Sequence, residues 1–213
     1  MKTLFTIYIV LLLSVFMAGS ALAHVPYIEQ KDYTKLRPFV VKDSIENSKS
    51  IYAWFETGSD VDVYKFEVTG PVRVFAQAVV PVCPAYEQLL PWFAVVGPGL
   101  PEPVEDLPFR IPSGYGAIVV ENVAPGEPRT TFYEPFGQKY YYDGPAFDQD
   151  ISEPGTWYIY YWDPYEMGGD YAAVLGFEEV FTPKDIVRSL ILTPVIRSNG
   201  ELHTECQQGT IFE

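Results

Sequence analysis

Histidine is nearly absent from this chain: His24 and His203 are the only two among 213 residues. A Ser-His-Asp or Cys-His site would have to use one of them, and both lie near the ends of the chain. No G-x-S-x-G, H-E-x-x-H or phosphate-loop pattern occurs. A carboxylate-pair hydrolase is not excluded by motif, because 28 acids offer many pairs; otherwise the sequence leans away from catalysis. Basic residues are also scarce, with 14 Lys and Arg against 28 Asp and Glu. Such a surface repels nucleic acid and anionic lipid while favouring solubility and cations. Beyond the first segment there is no apolar run long enough for a transmembrane helix. There is no low-complexity linker and no tandem repeat. Helix signals are few.

The first 23 residues stand apart. Lys2 gives a positive start, an apolar run spans Leu4 to Met17, and Ala21-Leu22-Ala23 matches a cleavage pattern. This reads as a signal peptide, and therefore as an exported protein, periplasmic, extracellular or at the cell surface. A retained N-terminal anchor is the alternative. Lys2 is the only charge in this segment, so the remaining 190 residues carry 13 basic and 28 acidic groups, a net of −15. That length suits one sizeable core. Cys83 and Cys206 are the only cysteines, and in an exported chain a lone pair reads as a disulfide.

The body of the chain is rich in strand signals. Nineteen prolines and 16 glycines cut it into short pieces, and aromatics make up 16% of it. Residues 61–70 alternate, with Tyr64, Phe66 and Val68 opposite Val61, Val63, Lys65 and Glu67. Residues 49–58 and 71–82 alternate in the same way. Further strands are read at 91–99, 115–123, 130–144 (a hairpin), 155–164 and 168–181, with residues 24–42 extended but irregular and the proline-rich stretch 100–113 a loop. The predicted fold is all-β: a single antiparallel β-sandwich or jelly roll over 24–181. Residues 182–213 follow as a short C-terminal helix and tail. Thr182-Pro183-Lys184-Asp185 opens that helix, Pro194 is expected to stop it, and Ile186, Leu190 and Ile191 form a stripe expected to pack on a sheet edge. A membrane-surface helix fits less well, since only Lys184 and Arg188 are basic.

Several of these motifs resemble the bacterial pre-peptidase C-terminal type of β-sandwich. Asp62, Tyr64 and Phe66 stand where that family has D-x-Y-x-F. Gly155, Thr156, Tyr158 and Ile159 match its G-T-Y-Y-I strand, with Trp157 in place of a tyrosine. Gly169, Tyr171 and Leu175 match its final G-x-Y-x-L. The resemblance covers about residues 50–178 and departs at 100–113 and 130–144. It implies a non-catalytic secreted accessory domain, sometimes stabilised by calcium.

Three kinds of site are candidates. Cleavage after Ala23 would leave His24 with a free amine, a copper chelate that His203 could complete as second imidazole. Acidic turns offer oxygen ligands for calcium: Asp60 with Asp62, a second group from Asp143 to Glu153, and a third with Asp163, Glu166 and Asp170. Asp148 and Asp150 are the preferred pair. Finally, Trp157, Ile159 and Tyr161 lie on one side of their strand and Tyr158, Tyr160 and Trp162 on the other. The second set, with Tyr140, Tyr141 and Tyr142, is expected to form an aromatic platform for a protein or glycan partner. Two functions stay open: an exported binding protein, or a copper protein centred on His24, either carrier or redox enzyme.

Overall fold

In the computed structural model, the described residues are 24–56, 58–104, 106–204 and 206. The signal-peptide reading of 1–23 lies outside them. Among the described residues, twelve strands form two sheets. The larger contains β1 (Val25–Ile28), β3 (Lys49–Phe55), β5 (Val72–Pro81), β8 (Thr131–Glu134), β9 (Lys139–Tyr142), β10 (Ala146–Ile151) and β12 (Gly169–Leu175). Its order is β1-β3-β12-β5-β9-β8, with β10 paired to the first part of β5. The smaller sheet is β2 (Phe39–Val40), β4 (Val61–Val68), β11 (Gly155–Trp162), β6 (Trp92–Pro98) and β7 (Tyr115–Val120), in that order.

The period-2 residues face each other across these sheets. Ile51, Ala53 and Phe55 from β3 and Val74, Ala76 and Ala78 from β5 meet Tyr64 and Phe66 from β4 and Trp157, Ile159 and Tyr161 from β11. This inter-sheet layer is the main core, so the chain is a β-sandwich. Packing is tight: a Cβ on Gly97 would come within 2.1 Å of the Trp157 ring, so only glycine fits beneath that indole. Cys83 and Cys206 are bonded, with Cα atoms 5.2 Å apart, across a sequence separation of 123. In the chain-entropy picture a loop of that length contributes roughly 4–5 kcal/mol.

The predicted sandwich is present; at its edges β1 runs parallel to β3 and β2 parallel to β4, so the segment 24–42 supplies edge strands. Three expectations need correction. Residues 146–151 are not a turn. Phe147 and Ile151 are buried on the core-facing side, Gln149 shares that side but is exposed, and Asp148 and Asp150 lie on the opposite, exposed strand face. The helix α1 (Pro183–Arg197) runs through Pro194. Proline gives up one N–H bond to the Leu190 carbonyl, but residue 194 is on the exposed side and its own carbonyl still accepts from Ser198. Lastly, Ile186, Leu190 and Ile191 do not pack on the sheet. They face outward, while Ser189 and Ile196 are the buried residues of α1.

Candidate cation site and surrounding surfaces

Residues Glu29 to Tyr33 leave β1 and are laced onto both sheets. The Glu29 amide donates to the Tyr52 carbonyl, and the Val63 amide donates to the Tyr33 carbonyl. The Glu29 carboxylate is held at both oxygens, by the amides of Tyr33 and Trp54, each at 3.0 Å. This brings Glu29 and Asp32 against Asp62, which is fixed on β4 and accepts a 2.7 Å hydrogen bond from the Tyr171 hydroxyl. Tyr171 in turn contacts the Tyr64 hydroxyl at 3.1 Å.

One ligand oxygen from each of Glu29, Asp32 and Asp62 lies within 4.8 Å of the others. That matches the far side of a calcium shell, since two oxygens at ~2.4 Å on opposite sides of the ion are ~4.8 Å apart. Asp62 is 0% exposed. Its Oδ1, and the Oδ1 of Asp32, are buried without a hydrogen-bond partner. Such orphaned carboxylate oxygens are costly unless something binds them. Among the described residues, no ion pair involves these three carboxylates.

Charge follows from this geometry. Burial, and then the neighbouring charges of Asp32 and Asp60, push the Glu29 carboxyl up to about 7 against the two amide bonds. Burial and the Glu29 charge push Asp62 well above the usual carboxylate range. Burial, with the charges of Asp60 and Glu56, also raises Asp32. Three carboxylates crowded together, with Asp62 fully buried and Glu29 and Asp32 half-buried, hold either shared protons or a cation. The oxygen-only donor set and its negative charge fit calcium.

The sequence considered the Asp60/Asp62 turn but preferred Asp148 and Asp150. Asp148 is instead clamped by Arg73 through two 2.7 Å bonds, and Asp150 sits exposed two residues along β10. Asp60 accepts from the amides of Glu56 and Val61 and closes the turn beside the cage. Glu29 and Asp32 were missed, because nothing in the sequence joins them to a position thirty residues away.

The two histidines do not meet. His24 Nδ1 contacts the Ser48 hydroxyl just before β3, and burial lowers its pKa. His203 stacks on Trp54 near the far end of β3, ring centroids 4.2 Å apart, and pairs with Asp170 through Nδ1 at 2.7 Å. Six residues of strand separate Ser48 from Trp54, ~20 Å at ~3.3 Å each. An in-chain copper brace is therefore not assembled.

The aromatic set is divided between the sheets. Tyr160 and Trp162 are buried beneath the proline-rich segment, where Phe109 stacks on Tyr160 at 4.1 Å; Tyr158 is half-buried beside Tyr115. On the other sheet, Tyr141 is buried with Phe136 and Ile196. Tyr142 lies under the Arg129 guanidinium at 3.8 Å, and Tyr140 faces Tyr133 across the β8–β9 hairpin. No single platform joins them. What the larger sheet does offer is a cavity of about 320 Å³ lined by Tyr52, Phe75, Phe132, Phe136, Tyr141 and Phe177, together with His24 and Glu134.

No family model matches the chain, and no curated protein matches it. Among solved structures, it is similar to the pre-peptidase C-terminal domain of a collagenase from Bacillus anthracis. That similarity has a TM-score of 0.36 at 16% identity and covers 70% of this chain and 97% of that one. No described helix is long and apolar enough to cross a membrane.

Proposed function

We propose that this chain is an exported, non-catalytic β-sandwich module that acts by binding a protein or glycan partner at the cell surface or in the periplasm. A calcium ion held by Glu29, Asp32 and Asp62 locks its N-terminal segment onto both sheets. The observation that carries this reading is the buried cage with its orphaned Asp62 oxygen. Two others support it. Both histidines are engaged in structural contacts, with Ser48 and with Asp170 and Trp54. The aromatic cavity on the larger sheet is of a size to take one sugar ring or one apolar side chain.

The test is thermal unfolding with calcium or with a chelator, alongside elemental analysis of the isolated protein. Stoichiometric calcium and a rise in melting temperature are expected, both lost in Asp62→Asn. An ion at a hundred times its dissociation constant would add about 2.7 kcal/mol. Absence of calcium together with an unchanged melting temperature would remove the cage from the account. Glycan and protein arrays probed with and without calcium test the partner; loss of a hit in Phe132→Ala places it in the aromatic cavity.

A further inference from the structure

Helix α1 is inside out. Its inner side carries Asp185, Arg188, Ser189, Thr193 and Ile196, and Ser189 is 1% exposed. Its outer side is apolar, with Val187 56%, Leu190 72% and Ile191 63% exposed and Ile186 and Pro194 beside them. These residues recur at the spacing of a single helix face. The rotation is fixed from both ends. Thr182 and Asp185 form a capping box, and Arg188 lies over the Tyr27 ring at 4.2 Å. At the far end Ile196 is buried on the sheet and Arg197 donates to the Phe136 carbonyl.

What meets this outer face is indicated by three features of its surroundings. The helix rests against β1, and β1 is joined through His24 to residues 1–23, whose apolar run spans Leu4 to Met17. The described residues begin at His24, immediately before the strand on which the helix rests, so 23 residues with an apolar run precede this part of the molecule in sequence. A cleft of about 390 Å³ between β1 and the helix, lined by Tyr27, Ile28, Val187, Ile191 and Leu192, prolongs the apolar surface. The adjoining cleft holds Lys42, Lys49, Lys184 and Arg188 with Asp43 and Asp185. Asp43 pairs with Lys49 and Asp185 with Arg188, which leaves Lys42 and Lys184, the latter bordering both clefts, as the excess positive charge on a chain of net charge −14.

We propose that the outer face of α1 is a docking surface for a phospholipid bilayer. The helix lies in the plane of the interface, with Val187, Leu190 and Ile191 among the acyl chains and Lys184 and Lys42 at the lipid phosphates. Helices of this type settle ~5–10 Å into the headgroup boundary. The chain as a whole carries a net charge of −14, so attachment depends on apolar insertion more than on anionic lipid.

The experiment is flotation of the folded chain beginning at His24 with vesicles of phosphatidylcholine, and of phosphatidylcholine with phosphatidylglycerol. Binding to both is expected. The double variant Leu190→Gln/Ile191→Gln should lower the partition coefficient by more than about tenfold, since two apolar insertions are lost, at an unchanged melting temperature. Val104→Gln, exposed on the proline-rich segment, should leave binding as it was. The proposal is overturned if the unaltered chain floats with neither vesicle, or if the double variant binds equally well. It is also overturned if sedimentation shows a dimer that the double variant dissolves while no vesicle binding occurs, which would give the face to a second copy of the chain.

Discussion

Strand β11 and helix α1 both carry apolar side chains away from the main core, yet the chain treats them differently. On β11, Trp157, Ile159 and Tyr161 fill the space between the sheets, and Tyr160 and Trp162 on the opposite side are roofed by Leu107, Phe109 and Ile111. The long proline-rich insertion is therefore a cover. On α1 no described residue roofs the apolar face. The Glu29–Asp32–Asp62 cage is a third case, a polar cluster in which one oxygen each of Asp32 and Asp62 is closed off from water without a hydrogen-bond partner. An apolar surface is finished by more chain or by a partner, and a buried carboxylate cluster by a proton or a metal.

Four experiments break or sharpen this contrast. The largest effect is expected at the inner face of β11: Trp157→Ala opens a cavity between the sheets and should cost ~3–5 kcal/mol in denaturant unfolding. Removing the roof should cost less. Phe109→Ala, at a half-buried position, is expected to lose about 2 kcal/mol and to shift tryptophan emission to the red as water reaches Trp162. An unchanged emission maximum would mean that Phe109 is not the cover.

The cage gives a pH signature. Glu29 is raised from 4.5 to about 7 in the folded protein, so between these values the folded state binds more protons than the unfolded one. Metal-free protein should therefore lose stability as the pH rises from about 4.5 to about 7. Calcium should flatten that slope, because the ion replaces the protons. Melting temperatures across this range, with chelator and with calcium, decide it. A metal-free protein that gains stability over that interval would contradict the burial of Glu29. The smallest effect is expected at α1. Leu190→Ser removes an apolar side chain from water and should change stability by less than ~0.5 kcal/mol. A larger loss would show that the face is covered within the folded chain.

Much of the sandwich was legible because its strands alternate. Tyr64, Phe66 and Val68 could be assigned to one face from spacing alone, and they line the core. The disulfide followed from having two cysteines. The reading failed where sign or distance mattered. Asp148 and Asp150 looked like a turn because three polar residues in a row mask the inward Phe147 and Ile151. Spacing reveals the stripe on α1, but the rule that apolar faces point inward gives it the wrong direction. Small Ser189 and Thr193, the Arg188–Tyr27 contact and the anchoring of Ile196 turn it outward instead. Glu29 and Asp32 were invisible as ligands because their partner is reached only when the first segment folds back between β3 and β4.

By itself the sequence determined the local pattern: strand faces, the helix start at Thr182, the excess of acid and the available ligand types. These depend on neighbours within a few residues, which set backbone preference and side-chain period. Only the tertiary structure decided which acids share one buried space, that the histidines lie at opposite ends of β3, and that β11 is roofed while α1 is bare. Those outcomes depend on contacts between residues far apart in the chain, whose geometry no local spacing encodes.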